Sequence, residues 1–390
     1  MKQFPILFTL SIFITCLTAC EQPNEPTTEL TQTETGASEE IFEISSTRFT
    51  AQRIGMDGVG LAAADLNDDG HLDVVVGGEP MLTIYLGDGT GRLDKFSQAP
   101  GGQQPDNFAL ADLNEDGDID IIIANHDTDH LTLLLGIGDG TFQSGPNSPL
   151  SIPVSPHPHE VRAVDIDRDG HLDLIVDNRD GKGYLILRGL GDGSFESVTS
   201  VDVGGDPYRG MALGDLDGDG DLDLVSPNPT EVGVLLNQSR EQIAFQPSDY
   251  VAAQTPFSVA LGDLNGDSKL DLITASGESD SIVELFWGNG AGGFVAADSS
   301  PVQFAKGAKQ IAVGDFNGDK IDDAVISAYR STDVLIIFGG SEALQFGTLP
   351  GIEHPWSFAA ADLNEDNIDD LVIGDDTSPE ALIYLSLSNK

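Results

Sequence analysis

Asp215-Leu-Asp-Gly-Asp-Gly-Asp-Leu-Asp223 runs straight into the apolar pair Leu224-Val225. Carboxylates at positions 1, 3, 5 and 9 of one tight loop repel one another unless a cation offsets them, and hard oxygens in that number suit calcium. Gly220 at position 6 permits the sharp turn, and position 7 can add its backbone carbonyl. The pattern occurs six more times. First positions are Asp65, Asp112, Asp165, Asp215, Asp263, Asp315 and Asp362, spaced 47, 53, 50, 48, 52 and 47 residues apart. An internal repeat of about 50 residues indicates a propeller or a solenoid.

Up to seven structural calcium ions are therefore expected. Position 3 supplies Asn67, Asn114, Asp167, Asp217, Asn265, Asn317 and Asn364, and position 5 supplies Asp69, Asp116, Asp169, Asp219, Asp267, Asp319 and Asp366. Position 9 supplies Asp73, Asp120, Asp173, Asp223, Asp271, Asp323 and Asp370. The position-7 carbonyls belong to His71, Asp118, His171, Asp221, Lys269, Ile321 and Ile368, so the two histidines are expected to act only through their backbone. An EF-hand or dockerin-like loop needs an acid at position 12. Here that place holds Val76, Ile123, Val176, Ser226, Thr274, Ile326 or Ile373, which excludes both.

Each repeat reads as four short strands. An apolar strand such as Gly210-Met-Ala-Leu-Gly214 enters the loop, Leu222-Asp-Leu-Val225 leaves it, and a third strand such as Tyr184-Leu-Ile-Leu187 follows a variable polar segment. Gly87-Asp-Gly89, Gly138-Asp-Gly140, Gly191-Asp-Gly193 and Gly288-Asn-Gly290 are hairpin chemistry; with no helix pattern behind them they are not a phosphate cradle. A fourth strand opens on Phe142, Phe195 or Phe294. Four antiparallel strands repeated seven times predict an all-β fold, a seven-bladed β-propeller. The last repeat stops after Ala381 to Leu387, and Phe49 to Ile54 looks like its missing fourth strand displaced to the front, so an N-terminal strand should complete the last blade.

Asp315-Phe-Asn-Gly-Asp-Lys-Ile-Asp-Asp323 and Asp362-Leu-Asn-Glu-Asp-Asn-Ile-Asp-Asp370 resemble the FG-GAP repeats of integrin α-subunit propellers. Asp65 to Asp73 and its closer relatives resemble the bacterial VCBS form. The resemblance covers residues 48–388 and implies seven blades with calcium between the first and second strands, on the bottom face. It does not settle function, because the family is broad. Position 6 is Gly70, Gly117, Gly170 and Gly220 in four loops but Ser268, Lys320 and Asn367 in the others. Serine and lysine enter the left-handed region poorly, so the weakest sites are expected in repeats five and six.

Ahead of the repeats, residues 1–19 read as a signal peptide: Lys2, the apolar run from Ile6 to Leu17, then Leu17-Thr18-Ala19-Cys20. That tetrad resembles a bacterial lipobox, which would make Cys20 the lipidated first residue. Glu21 after it favours the outer membrane. Residues 20–41, rich in Glu, Gln, Pro and Thr, have the composition of a disordered tether, which leaves 42–390 for the propeller. Lys and Arg number 18 against 65 Asp and Glu, a formal net charge of −47 that disfavours nucleic acid and anionic lipid headgroups as partners. Nothing in composition or hydrophobic pattern points to an obligate oligomer.

On the inner strands, Ala62, Ala109, Arg162, Ala212, Ala260, Ala312 and Ala359 stand three residues before each loop, with Leu61, Phe108, Val161, Met211, Val259, Ile311 and Phe358 one earlier. Alternation puts the two sets on opposite faces, so the small face of one blade can receive the large face of the next. Arg162 breaks this pattern and is expected to pair with an acid or reach the central channel. Six residues before each loop, at the top rim, stand Val59, Asp106, His159, Arg209, Phe257, Lys309 and Trp356. Diversity at one ring position suits a binding surface. His126, His130, His157, Arg162, Arg179 and Tyr208 should join them on that top face.

The reading is a binding or adhesion module for an extracellular or periplasmic glycan or protein. The alternative is a polysaccharide lyase in which His159 or Tyr208 takes the α-proton of a uronate while Arg162 or Arg209 neutralises its carboxylate. Histidines 126, 130, 157 and 159 could also hold a transition metal. No nucleophile elbow occurs, which disfavours a hydrolase.

Overall fold

The computed structural model describes residues 42–43, 49–56, 60–103, 105–126, 128–152, 158–178, 183–205, 207, 210–239, 242–248, 251–277, 282–304, 307–328, 330–350, 353–375, 377 and 379–387. The proposed signal peptide, Cys20 and the tether lie outside them. Glu39–Lys390 forms one compact unit of seven small antiparallel sheets, a seven-bladed propeller, with no helix among the described residues.

In each blade the second strand is the most buried: Asp73–Gly77, Asp120–Asn125, Asp223–Asn228 and Asp370–Asp375 are buried at every residue. Neighbouring blades cover both faces of these strands, so runs such as Val74-Val-Val76 and Ile121-Ile-Ile123 are continuous rather than alternating.

Seven hydrophobic clusters, one at each blade junction, take the place of a single core. Ala62 meets Phe108 between blades one and two, Ala109 meets Val161 between two and three, and Ala212 meets Val259 between four and five. Ala312 meets Phe358 and Ala359 meets Leu61 across the last two junctions. The small-into-large packing read from the inner strands thus joins the blades at these five junctions.

The ring closes as the sequence predicts. Phe49–Ile54 lies antiparallel on Ala381–Ser386, from Phe49 opposite Ser386 to Ile54 opposite Ala381. Phe49 is buried edge-on against Tyr384, with ring centroids 5.8 Å apart at 82°.

Two features were not foreseen. Phe42–Glu43 adds a parallel strand to the outer edge of blade six, opposite Gly347 and Thr348. In blades two, four and five the fourth strand is split, as in Phe142–Ser144 and Leu150–Ser151 on the same partner. Proline at 146 and 149 cannot donate to a ladder. The Ser148 hydroxyl instead accepts the Leu133 N–H at 3.0 Å, and Ser300 does the same for Leu285 in blade five.

Candidate functional site

Each loop joins the inner strand of a blade to the second, and its carboxylates organise the backbone. The position-1 carboxylate accepts the position-6 N–H in all seven loops, at 2.8–3.0 Å, from Gly70 to Asp65 through to Asn367 to Asp362. The position-9 aspartate opens the second strand and is buried. One of its oxygens accepts the position-2 N–H and the other the N–H that begins the hairpin, as Leu66 and Gly87 do for Asp73. The same pair of bonds recurs at Asp120, Asp173, Asp223, Asp271, Asp323 and Asp370. Burial raises these carboxyls against the pull of the two N–H groups, to about 6 for Asp120 and Asp223 and to about 8 for Asp323.

Position 6 is left-handed throughout, including Ser268 at φ 63°, Lys320 at 69° and Asn367 at 64°. So is position 4, which the sequence reading missed: Asp68, Glu115, Arg168 and Glu365 stand at 57–59°, and glycine fills it in the other loops. Position 4 of one loop also faces position 7 of the next. Glu365 bonds the ring of His71, Glu115 reaches His171 Nδ1 at 2.5 Å, and Arg168 reaches Asp221 at 2.6 Å. His71 and His171 are therefore not limited to their carbonyls: their rings tie adjacent blades together, and each is raised chiefly by its glutamate partner.

At the other end of the inner strands, His126 follows the second strand of blade two and His159 precedes the inner strand of blade three. Their Nε2 atoms lie 3.2 Å apart. Behind His159, Asp177 accepts the His159 and Glu160 N–H groups through Oδ1 at 2.6 and 2.8 Å, and its Oδ2 is 3.3 Å from His159 Nδ1. Glu160 is buried, which raises its carboxyl, and Arg162 pairs with it at 2.5 Å. Both expectations for Arg162 hold, because it also lines an axial cavity of about 70 Å³ where blades two to six converge, with Asn107, Gly210, Ser258 and Gln310. Further round the rim, Lys309 Nζ lies 3.3 Å from the centroid of Trp356 and 5.3 Å from that of Phe257, so the rim residues of blades five, six and seven form one cation–aromatic cluster.

The model of the FG-GAP-like repeat matches residues 65–123, 112–176, 178–226, 215–274 and 263–326, more than half of the chain. The chain belongs to the FG-GAP-like repeat family. No curated protein matches it in sequence. Among solved structures, the FG-GAP propeller is similar to BBS1N in complex with ARL6DN, with 13% identity and a TM-score of 0.62 over 89% of this chain and 99% of that one. It is also similar to an Agrocybe aegerita lectin that recognises non-reducing terminal N-acetylglucosamine, with 19% identity and a TM-score of 0.51 over 77% and 80%. A protein from Lactobacillus plantarum gives 14% identity and a TM-score of 0.56 over 77% and 86%. At these identities the likeness is one of fold.

The two ends of this FG-GAP propeller thus carry different chemistry. At the loop end, the donor set fits a hard cation. Carboxylate oxygens of Asp165, Asp167 and Asp173, and of Asp215, Asp217 and Asp223, lie within 4.8 Å of one another. In loops one to four each position-9 oxygen keeps a lone pair beyond its backbone bond, whereas in loops five, six and seven the amide of Asn265, Asn317 or Asn364 also donates to that carboxylate at 3.0–3.3 Å. In blade three Arg188, where the other third strands carry an apolar residue, leans on Asp167 at 3.0 Å and Asp169 at 2.6 Å. At the opposite end, His130 pairs with Asp129 at 2.6 Å and lines a groove with Pro100, Gln103 and Thr132. Val59, His157, Arg179, Tyr208 and Arg209, and the side chain of Asp106, lie outside the described residues.

Proposed function

We propose that this chain is an exported, lipid-anchored propeller, stapled by calcium at its loops, that binds or adheres to a glycan or protein through the opposite face. The carrying observation is the rim itself. Half-buried Trp356 and Phe257 flank the buried ammonium of Lys309, so that three blades share one cation–aromatic cluster at the rim, next to the axial cavity lined by Glu160 and Arg162. Aromatic faces with flanking charge suit sugars and protein hot spots alike. Two structural neighbours, a lectin and BBS1N in complex with ARL6DN, accord with such a binder. The loop carboxylates would hold calcium, which supplies positive charge where these side chains crowd.

Retention on immobilised glycans and surface proteins tests this reading. Trp356→Ala should weaken retention about tenfold or more, beyond its modest cost in melting temperature, while Trp356→Phe, which keeps a ring over Lys309, should lose less of both. Retention that ignores Trp356 and Lys309 variants would remove the rim from the function.

A second reading draws on the buried Asp177 behind His159, an arrangement that orients an imidazole as a general base. In a lyase it would take a uronate α-proton. Ultraviolet absorbance of a new C=C bond across a uronate polysaccharide panel separates the two; a flat trace leaves the binding module.

A further inference from the structure

We propose that Nε2 of His126 and Nε2 of His159 form a binding site for a divalent transition metal of the zinc or copper class at the mouth of the channel, distinct from the calcium loops. Three observations carry it. The nitrogens are 3.2 Å apart. Two imidazoles on one tetrahedral ion, with metal–nitrogen bonds of about 2.0 Å, hold their nitrogens about 3.3 Å apart.

The rings also do not lie end to end. Their centroids are 4.7 Å apart at 70°. That is only 4.7 − 3.2 = 1.5 Å more than the nitrogen separation, less than the two ring radii that a collinear N–H···N alignment would add. The two rings are thus bent out of the end-to-end alignment of a simple N–H···N bond.

Finally, Asp177 fixes the tautomer. Its Oδ1 is held by the His159 and Glu160 N–H groups, so Oδ2 faces His159 Nδ1 and keeps the proton there, leaving Nε2 as the donor to metal. A carboxylate behind a ligating histidine is the outer-shell arrangement metal sites use. His126 arrives from blade two and His159 from blade three, so the ion would also bridge a blade junction. Waters or ligand oxygens would fill its remaining positions, and imidazole donors without a thiolate among the described residues suit the borderline metals.

The test is copper(II) electron paramagnetic resonance on the full chain saturated with calcium, so that the carboxylate loops are occupied. One equivalent of copper should show hyperfine splitting from two nitrogens. His126→Gln, on a half-buried loop residue, should lose that pattern while the protein melts as before. Asp177→Asn should weaken copper binding about tenfold or more, and zinc in large excess should compete with the copper, which binds imidazole more tightly. His71→Ala combined with His171→Ala should leave the signal intact. A nitrogen signal that survives in His126→Gln, or no nitrogen signal at one equivalent, would overturn the proposal and leave the pair as an N–H···N hydrogen bond.

Discussion

At the scale of single residues, the loops turn on two left-handed positions, not one. Loop four has glycine at both, loop seven at neither, and the other five carry one non-glycine residue each. On backbone cost alone this moves the weakest loop from repeats five and six, where position 6 pointed, to repeat seven with Glu365 and Asn367. An L-residue held left-handed costs about 1–2 kcal/mol. Gly70 stands at φ 88° with open space where a Cβ would go, so Gly70→Ala reads the backbone cost alone and should destabilise by about 1 kcal/mol. Lys320→Gly should shift the melting temperature the other way, because the bond from its N–H to Asp315 does not depend on the side chain.

The position-4 to position-7 pairing makes a second residue-level prediction. Asp68 and Asp118 stand at the positions that Glu115 and His171, or Arg168 and Asp221, hold elsewhere, and the Asp118 carboxyl is raised by desolvation first, then by Asp116 and Asp68. Arg168 already occupies the same backbone conformation as Asp68. Asp68→Arg should therefore turn a repulsion into an exposed ion pair and raise the melting temperature slightly at low salt. Thermal melts in low and high salt check it, and the gain should shrink as salt rises.

At the scale of elements, closure rests on one six-residue strand, Phe49–Ile54. Without it blade seven exposes an unpaired edge and the Phe49 pocket empties. Deleting residues 42–55 should destabilise the whole ring, lowering the melting temperature and broadening the transition. Phe49→Ala is the milder form and should cost about 3–5 kcal/mol, as for a buried phenylalanine. A truncated chain that melts as the intact one does would refute the closure role.

At the scale of the whole molecule, the seven sheets touch only their neighbours, so what stabilises each loop stabilises the ring by addition. Calcium bound to the folded form alone would add about 2.7 kcal/mol per site at a hundredfold excess over its dissociation constant. Chelation should lower the melting temperature by many degrees, and calcium should restore it. An unchanged melting temperature would sink the calcium assignment.

The sequence by itself determined the blade count, the strand order, the closing strand and the carboxylate loops. Each is written in contiguous residues: a period near fifty, a glycine where the chain turns left-handed, a Phe-led strand out of place. The small-into-large packing was legible too, because strand alternation carries it. Only the tertiary structure decided which residues meet. His126 and His159 are 33 positions apart, and Glu365 and His71 are 294 apart across the closure. His130 lines a groove with Pro100 and Gln103. The physical reason is that blade junctions join equivalent positions of different repeats. A charge at position 4 gains meaning only from position 7 of the next loop, and a rim lysine from the aromatic rings on either side of it. No local periodicity encodes those pairs, because the ring, not the chain, makes them neighbours.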